Sequence, residues 1–116
     1  MTLEECYNEI GGNYIDVLKR LLKEERVLKF VKTFPSQDVI TPIETALNNK
    51  DYKNAFMASH SLKGVCATLS FSRLFKSSSD LTECLRGDEI TEDPIPLFKI
   101  LKENYKETVD AISKLD

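Results

Sequence analysis

Only four glycines and four prolines punctuate the 116 residues, and nearly all stand where an apolar stripe of helical period runs out. Both residue types are costly inside a helix, so breakers confined to the ends of periodic segments select helix over sheet. No segment alternates apolar and polar residues long enough to make a strand. The expected class is therefore all-α: an antiparallel four-helix bundle with additional short N-terminal helices.

The local signals place the helices. Thr2 and Glu5 have capping-box spacing, in which each side chain bonds the other's free backbone N–H. Leu3, Cys6, Tyr7 and Ile10 form the apolar face that follows, and Gly11-Gly12 ends it. Asn13 caps the next segment. Its stripe runs through Val17, Leu18, Leu21 and Leu22, breaks at Lys23-Glu24-Glu25-Arg26 and resumes at Leu28, Val31 and Phe34. One bent helix and two short ones both fit residues 14–34. Pro35-Ser36 ends this part. At Thr41-Pro42-Ile43-Glu44 the pattern predicts Thr41 as N-cap, Pro42 at N1 and Glu44 closing a capping box; a start nearer Gln37 is the alternative. Asp51 caps a helix running to about Leu69. Ser70 or Ser72 caps the next, with Phe71, Leu74, Phe75, Ser78, Leu81 and Leu85 at helical spacing and Gly87 at its C′ position. Asp93-Pro94 opens the last helix, striped by Phe98, Leu101, Tyr105, Val109 and Ile112. The expected organisation is a single domain, with residues 1–35 as N-terminal accessory helices and 36–116 as the main bundle.

Apolar residues make up 41% and charged residues 30%, enough for one modest core without covalent staples. Cys6, Cys66 and Cys84 lie far apart in metal-free spacing, which suits buried free thiols in a reducing cytoplasm. No apolar run approaches the ~18 residues of a membrane span, and the acidic start is unlike a signal peptide. The net charge of −3, with lysines scattered among carboxylates, argues against nucleic acid as a partner.

One residue breaks the pattern. With about 100° per residue and Leu62 as the centre of the buried face, Ala55, Ala58, Val65, Cys66 and Leu69 fall within about 60° of it. His60, the only histidine, falls at about 160°, nearly opposite. Lys53, Phe56, Met57, Gly64 and Ala67 map beside it. Two large apolar residues and two very small ones are unusual for a solvated face. Gly64 costs about 1 kcal/mol against alanine in a helix interior, which suggests that something approaches the backbone there. An unperturbed imidazole titrates at about pH 6.5, so an exposed ring offers a free nitrogen as a nucleophile near neutrality. Lys63, on the flank of this face, can reach an anion held on the ring. The bland reading of a lone helical histidine is an ordinary surface residue, and Phe56 and Met57 on pattern alone fit equally well beneath a neighbouring helix.

The segment from Ala58 to Leu69 resembles the signature of histidine phosphotransfer (HPt) domains: a histidine, a hydrophobic residue two on, then lysine and glycine, with leucine five after the glycine. His60, Leu62, Lys63, Gly64 and Leu69 match it. Ser70 departs from it, because the family usually has glycine there, and reads as a different cap remote from His60. The resemblance implies a four-helix bundle with the histidine exposed in mid-helix. It implies His60 as the phosphorylated residue, Lys63 as the phosphate-stabilising lysine and Gly64 as the small residue giving access. The partners it implies are receiver domains of response regulators or hybrid histidine kinases, docking on an apolar patch around the histidine. Helix geometry puts Phe56, Met57 and Ala67 in that patch with Lys53 beside them, and residues of the N-terminal helices are expected to complete it. No cofactor is expected on this chain, and magnesium is expected in the receiver. A cytoplasmic monomer is expected. Two other readings stay open: a receiver-binding adaptor that is never phosphorylated, and an HPt domain fed directly by a kinase catalytic domain. A start at Met1 suits a free-standing protein, and a fragment of a larger kinase would look the same. A stand-alone helical enzyme is disfavoured by the single histidine and the lack of a Glu-x-x-His motif or Gly-rich phosphate loop.

Overall fold

Helix α1 (Leu3–Glu9) starts on the capping box read from the sequence: Thr2 N–H donates to Glu5 Oε1 at 2.8 Å, and Glu5 N–H donates to Thr2 Oγ1 at 3.1 Å. The computed structural model describes residues 1–116. Asn13 caps α2 (Tyr14–Leu21) by accepting from Asp16 N–H at 3.0 Å. A separate helix α3 (Glu24–Thr33) follows, so residues 14–34 form two helices. The break is Leu22, at φ 72°, where Lys23 N–H donates to Leu21 C=O at 2.9 Å. That is a γ-turn, a tight and strained reversal. A short 3₁₀ turn, Phe34–Ser36, leads out of α3.

The main helices are α4 (Thr41–Asn48), α5 (Tyr52–Leu69), α6 (Ser72–Cys84) and α7 (Ile95–Ile112). The chain is all-helical, as expected. Helix α5 is central: it packs on α4 and α6 and touches α2 and α3, while α6 packs on α7. The Lys102–Glu44 ion pair at 2.8 Å ties α7 to α4. The buried apolar cluster takes members from all seven helices, including Cys6 and Tyr7 of α1, Val17 of α2 and Val31 of α3. The N-terminal helices therefore share the core of the others.

They are pinned to the end of α5. The Tyr7 hydroxyl donates to Leu69 C=O at 2.7 Å, and Asn13 N–H donates to Ser70 C=O at 2.9 Å. Gly12 lies in this joint, where a Cβ would stand 2.7 Å from the Tyr7 ring and 3.0 Å from the Ser70 carbonyl oxygen. Ser70 holds the left-handed conformation, φ 55°, which glycine adopts most readily. Its hydroxyl donates to Asp16 Oδ2 at 2.6 Å and accepts from Arg20 at 2.8 Å. The same Arg20 nitrogen donates to Ala67 and Thr68 C=O at 3.0 and 3.1 Å. A guanidinium thus covers the carbonyl end of α5, where the helix dipole favours a cation.

Several caps differ from the sequence reading. Helix α4 begins at Thr41 itself, with Ile40 in the N-cap position and Asp38 Oδ1 accepting from Thr41 N–H at 3.0 Å. Glu44 turns to Lys102 instead of closing a box. Neither Ser70 nor Ser72 caps α6; Phe71 occupies that position with no side-chain bond. Gly87, at φ 96°, follows α6 one position later than expected, because Leu85 is the C-cap. In α7, Thr108 and Ala111 are buried, while Val109 is only half-buried.

Candidate functional site

Helix α5 carries the site. Asp51 fixes its start by accepting from Asn54 N–H at 3.2 Å. Its buried stripe is Ala55, Ser59, Leu62, Cys66 and Leu69. Ala58 and Val65 are half-buried, so the face sits slightly round from the expected one, toward Ser59. The reason is close packing against α6, whose Ser78 and Thr82 are also fully buried. Small hydroxyl side chains let the two backbones approach. Their polar atoms are satisfied locally: Ser59 Oγ donates to Phe56 C=O at 3.1 Å, and Thr82 Oγ1 lies 2.7 Å from Ser78 C=O.

That phase puts His60 on the opposite side, exposed. Lys53, Met57, Gly64 and Ala67 are exposed along the same ridge. The remaining two expected residues differ. Phe56 is half-buried, its ring 5.9 Å from the His60 ring between centroids. Lys63 is half-buried, with Nζ 5.8 Å from the centroid of Phe75 on α6.

The two flanks of the ridge are unlike. On one side a groove of about 500 Å³ lies between α5 and the α2–α3 pair. Ser61, Gly64 and Thr68 form its α5 wall, and Leu21 and Phe30 stand across from them. A Cβ built on Gly64 meets nothing within 4 Å. The fold itself does not require glycine there. Phe30 is 47% exposed and Met57 56%, so this side offers apolar surface to a partner.

On the other side lies α6. Arg86 places Cζ 5.2 Å from the Phe56 centroid. It also binds Glu83 in a fork, Nε to Oε2 at 3.0 Å and Nη2 to Oε1 at 2.8 Å. This bond holds the Glu83 carboxyl below its usual range, with smaller contributions from the charges of Lys63 and His60. Sequence reasoning missed Glu83 and Arg86. Their i, i+3 spacing signals an ion pair, but only the α5–α6 packing brings that pair to the histidine. The N-terminal helices are expected to complete the patch, but helical period alone does not single out Leu21 and Phe30 as the groove residues. The chain gathers no group of three or more metal-ligating side chains, and no helix is long and apolar enough to cross a membrane.

The site is thus an exposed histidine on a helical ridge, followed by lysine and glycine. Residues 35–113 match the model of the Hpt domain family, more than half of the chain, and the protein belongs to that family. Its histidine phosphotransfer role in phosphorelays, with receiver domains as the interacting class, follows from that membership. Neither a curated protein nor a solved structure matches the chain. Helices α1 to α3, two of which wall the groove, lie outside the matched residues.

Proposed function

We propose that His60 accepts a phosphoryl group from the aspartyl phosphate of one receiver domain and passes it to the aspartate of another. The observation that carries this reading is an exposed histidine one turn from a glycine that the fold does not need, beside an open apolar groove. In the transfer, the free ring nitrogen attacks phosphorus, an N–P bond forms and the aspartyl O–P bond breaks. The aspartate leaves as a carboxylate, and the ring keeps the proton on its other nitrogen, so no external acid or base is required. Charge on the moving group is the main demand of such a reaction. Lys63, held over Phe75 by a weak cation–π contact, has a flexible stem and is free to turn toward it. Gly64 leaves room for the receiver's loops. Magnesium is assigned to the receiver's side of the complex.

The docking surface is assigned to Met57, Ala67 and Lys53 on the ridge and to Leu21 and Phe30 across the groove. Phe56, half-buried beneath Arg86, supports the His60 ring from the side and offers less area to a partner than its sequence position suggests. The test is transfer from a panel of magnesium-loaded, phosphorylated receivers to the wild type and to His60→Gln. Acid-labile, base-stable label on the wild type alone is expected. Equal labelling of both proteins, or binding without label from any receiver, would overturn the reading.

A further inference from the structure

Two opposite charges on the α6 flank, Arg86 and Glu83, have no part in the transfer as described, yet Arg86 stands on Phe56, the ring that neighbours the histidine. We propose that Arg86 is a second cation for the phosphorylated state, leaving Glu83 to pair with the phosphoryl group on His60. The proposal rests on His60 being the phosphorylated residue.

Arg86 is already poised against the site. Its guanidinium lies on Phe56, and the Phe56 ring lies next to His60. Glu83 senses the charges of both His60 and Lys63, which places the ion pair within electrostatic reach of the ring. The side chains of Arg86 and Glu83 are 52% and 54% exposed. Exposed pairs of this kind contribute little stability, so exchanging one partner is cheap. A phosphoryl group brings close to two negative charges and three acceptor oxygens, and a guanidinium fork binds such a group better than it binds one carboxylate. Without phosphate, Glu83 keeps Arg86 near the ring and neutralised. With phosphate, the net charge at His60 becomes negative and draws the guanidinium across.

The sign of two substitutions separates this role from simple packing. Arg86→Ala removes the cation and leaves Glu83 unpaired on the same flank as the phosphoryl group. Glu83→Gln removes the competing anion and frees Arg86. Both destroy the same ion pair, so a purely structural role moves them together, whereas the proposal moves them apart. The measurement is the pH titration of the phosphohistidine ³¹P resonance after loading with phosphoramidate, which needs no receiver. Arg86→Ala is expected to move the second ionisation of the phosphoryl group up by about half a pH unit. Glu83→Gln is expected to move it down, and Arg86→Lys to stay close to wild type. An unchanged titration in Arg86→Ala, shifts of the same sign in Arg86→Ala and Glu83→Gln, or failure of wild-type His60 to load, would overturn the proposal. Normal loading and the expected shifts without transfer from any receiver would instead sink the receiver reading alone.

Discussion

Gly64 gives the sharpest separation of folding from function in this protein. It lies inside α5, five residues before the helix ends at Leu69, in ordinary helical backbone with open space where a side chain would be. Replacing glycine by alanine in an exposed helix interior gains about 1 kcal/mol. For a chain of this length that raises the melting temperature by about 4 °C. Gly64→Gln keeps roughly half of the gain, because glutamine is a good helix former but orders a longer side chain. Function should move the other way. A methyl group at this position intrudes little, whereas a glutamine stands one turn from His60 at the mouth of the groove, and misplacement of about 1 Å in a transfer complex can cost a hundredfold. Thermal melts by circular dichroism and single-turnover transfer from a phosphorylated receiver measure the two effects on the same samples. Gly64→Gln should melt higher than wild type and transfer at least roughly tenfold more slowly. A lower melting temperature for Gly64→Ala would show that the glycine serves the fold. Wild-type transfer in Gly64→Gln would show that nothing approaches there.

Other consequences are equally open to measurement. Gly12→Ala drives a methyl group into the Tyr7 ring and the Ser70 carbonyl and should cost about 1–3 kcal/mol in urea unfolding, the range for overpacking; an unchanged midpoint would refute the packing of the N-terminal helices on α5. Burial pushes the Cys66 thiol up to about 12 and Cys6 up to about 11. Half-buried Cys84 should therefore be the first thiol to react with a disulfide reagent under native conditions, and fast labelling of Cys66 would contradict the core. Hydrogen bonds depress three carboxyls: Thr2 lowers Glu5, Ser70 lowers Asp16 and Thr41 lowers Asp38. Groups depressed by folding contribute stability above their unfolded values and lose it as pH falls through the folded ones. The melting temperature should therefore fall below the ordinary values of 4.5 for Glu5 and 3.8 for Asp16 and Asp38, and a melting temperature that stays flat through that range would be inconsistent with these caps.

Much of this was legible in the chain, for local reasons. Thr2, Asn13 and Asp51 cap where their spacing says, because a cap needs only residues within one turn. His60 is exposed because a stripe of small and apolar residues already fills the opposite face of α5. The misreadings lie at caps and backbone angles that no pattern announces, and where partners are distant in the chain. Asp38, three residues upstream, accepts from Thr41 N–H, which puts Thr41 inside α4 and not at its cap. Leu22 splits the second segment at a backbone angle that no leucine advertises. Ser59 is buried against Thr82, so a serine beside the histidine belongs to the core. Ser70 keeps a conformation suited to glycine because Asp16 and Arg20, half the chain away, hold its hydroxyl. The groove and the Arg86–Glu83 pair arise where helices meet, and periodicity within one helix carries no information about them.

The carrier claim is tested most directly by a two-receiver chase. The chain is loaded from one phosphorylated receiver, purified, and mixed with a second, unphosphorylated receiver and magnesium. The account predicts that label leaves His60 as matching acid-stable, base-labile label appears on the second receiver's aspartate. Label that stays on the chain until it hydrolyses, whichever receiver is added, would contradict it.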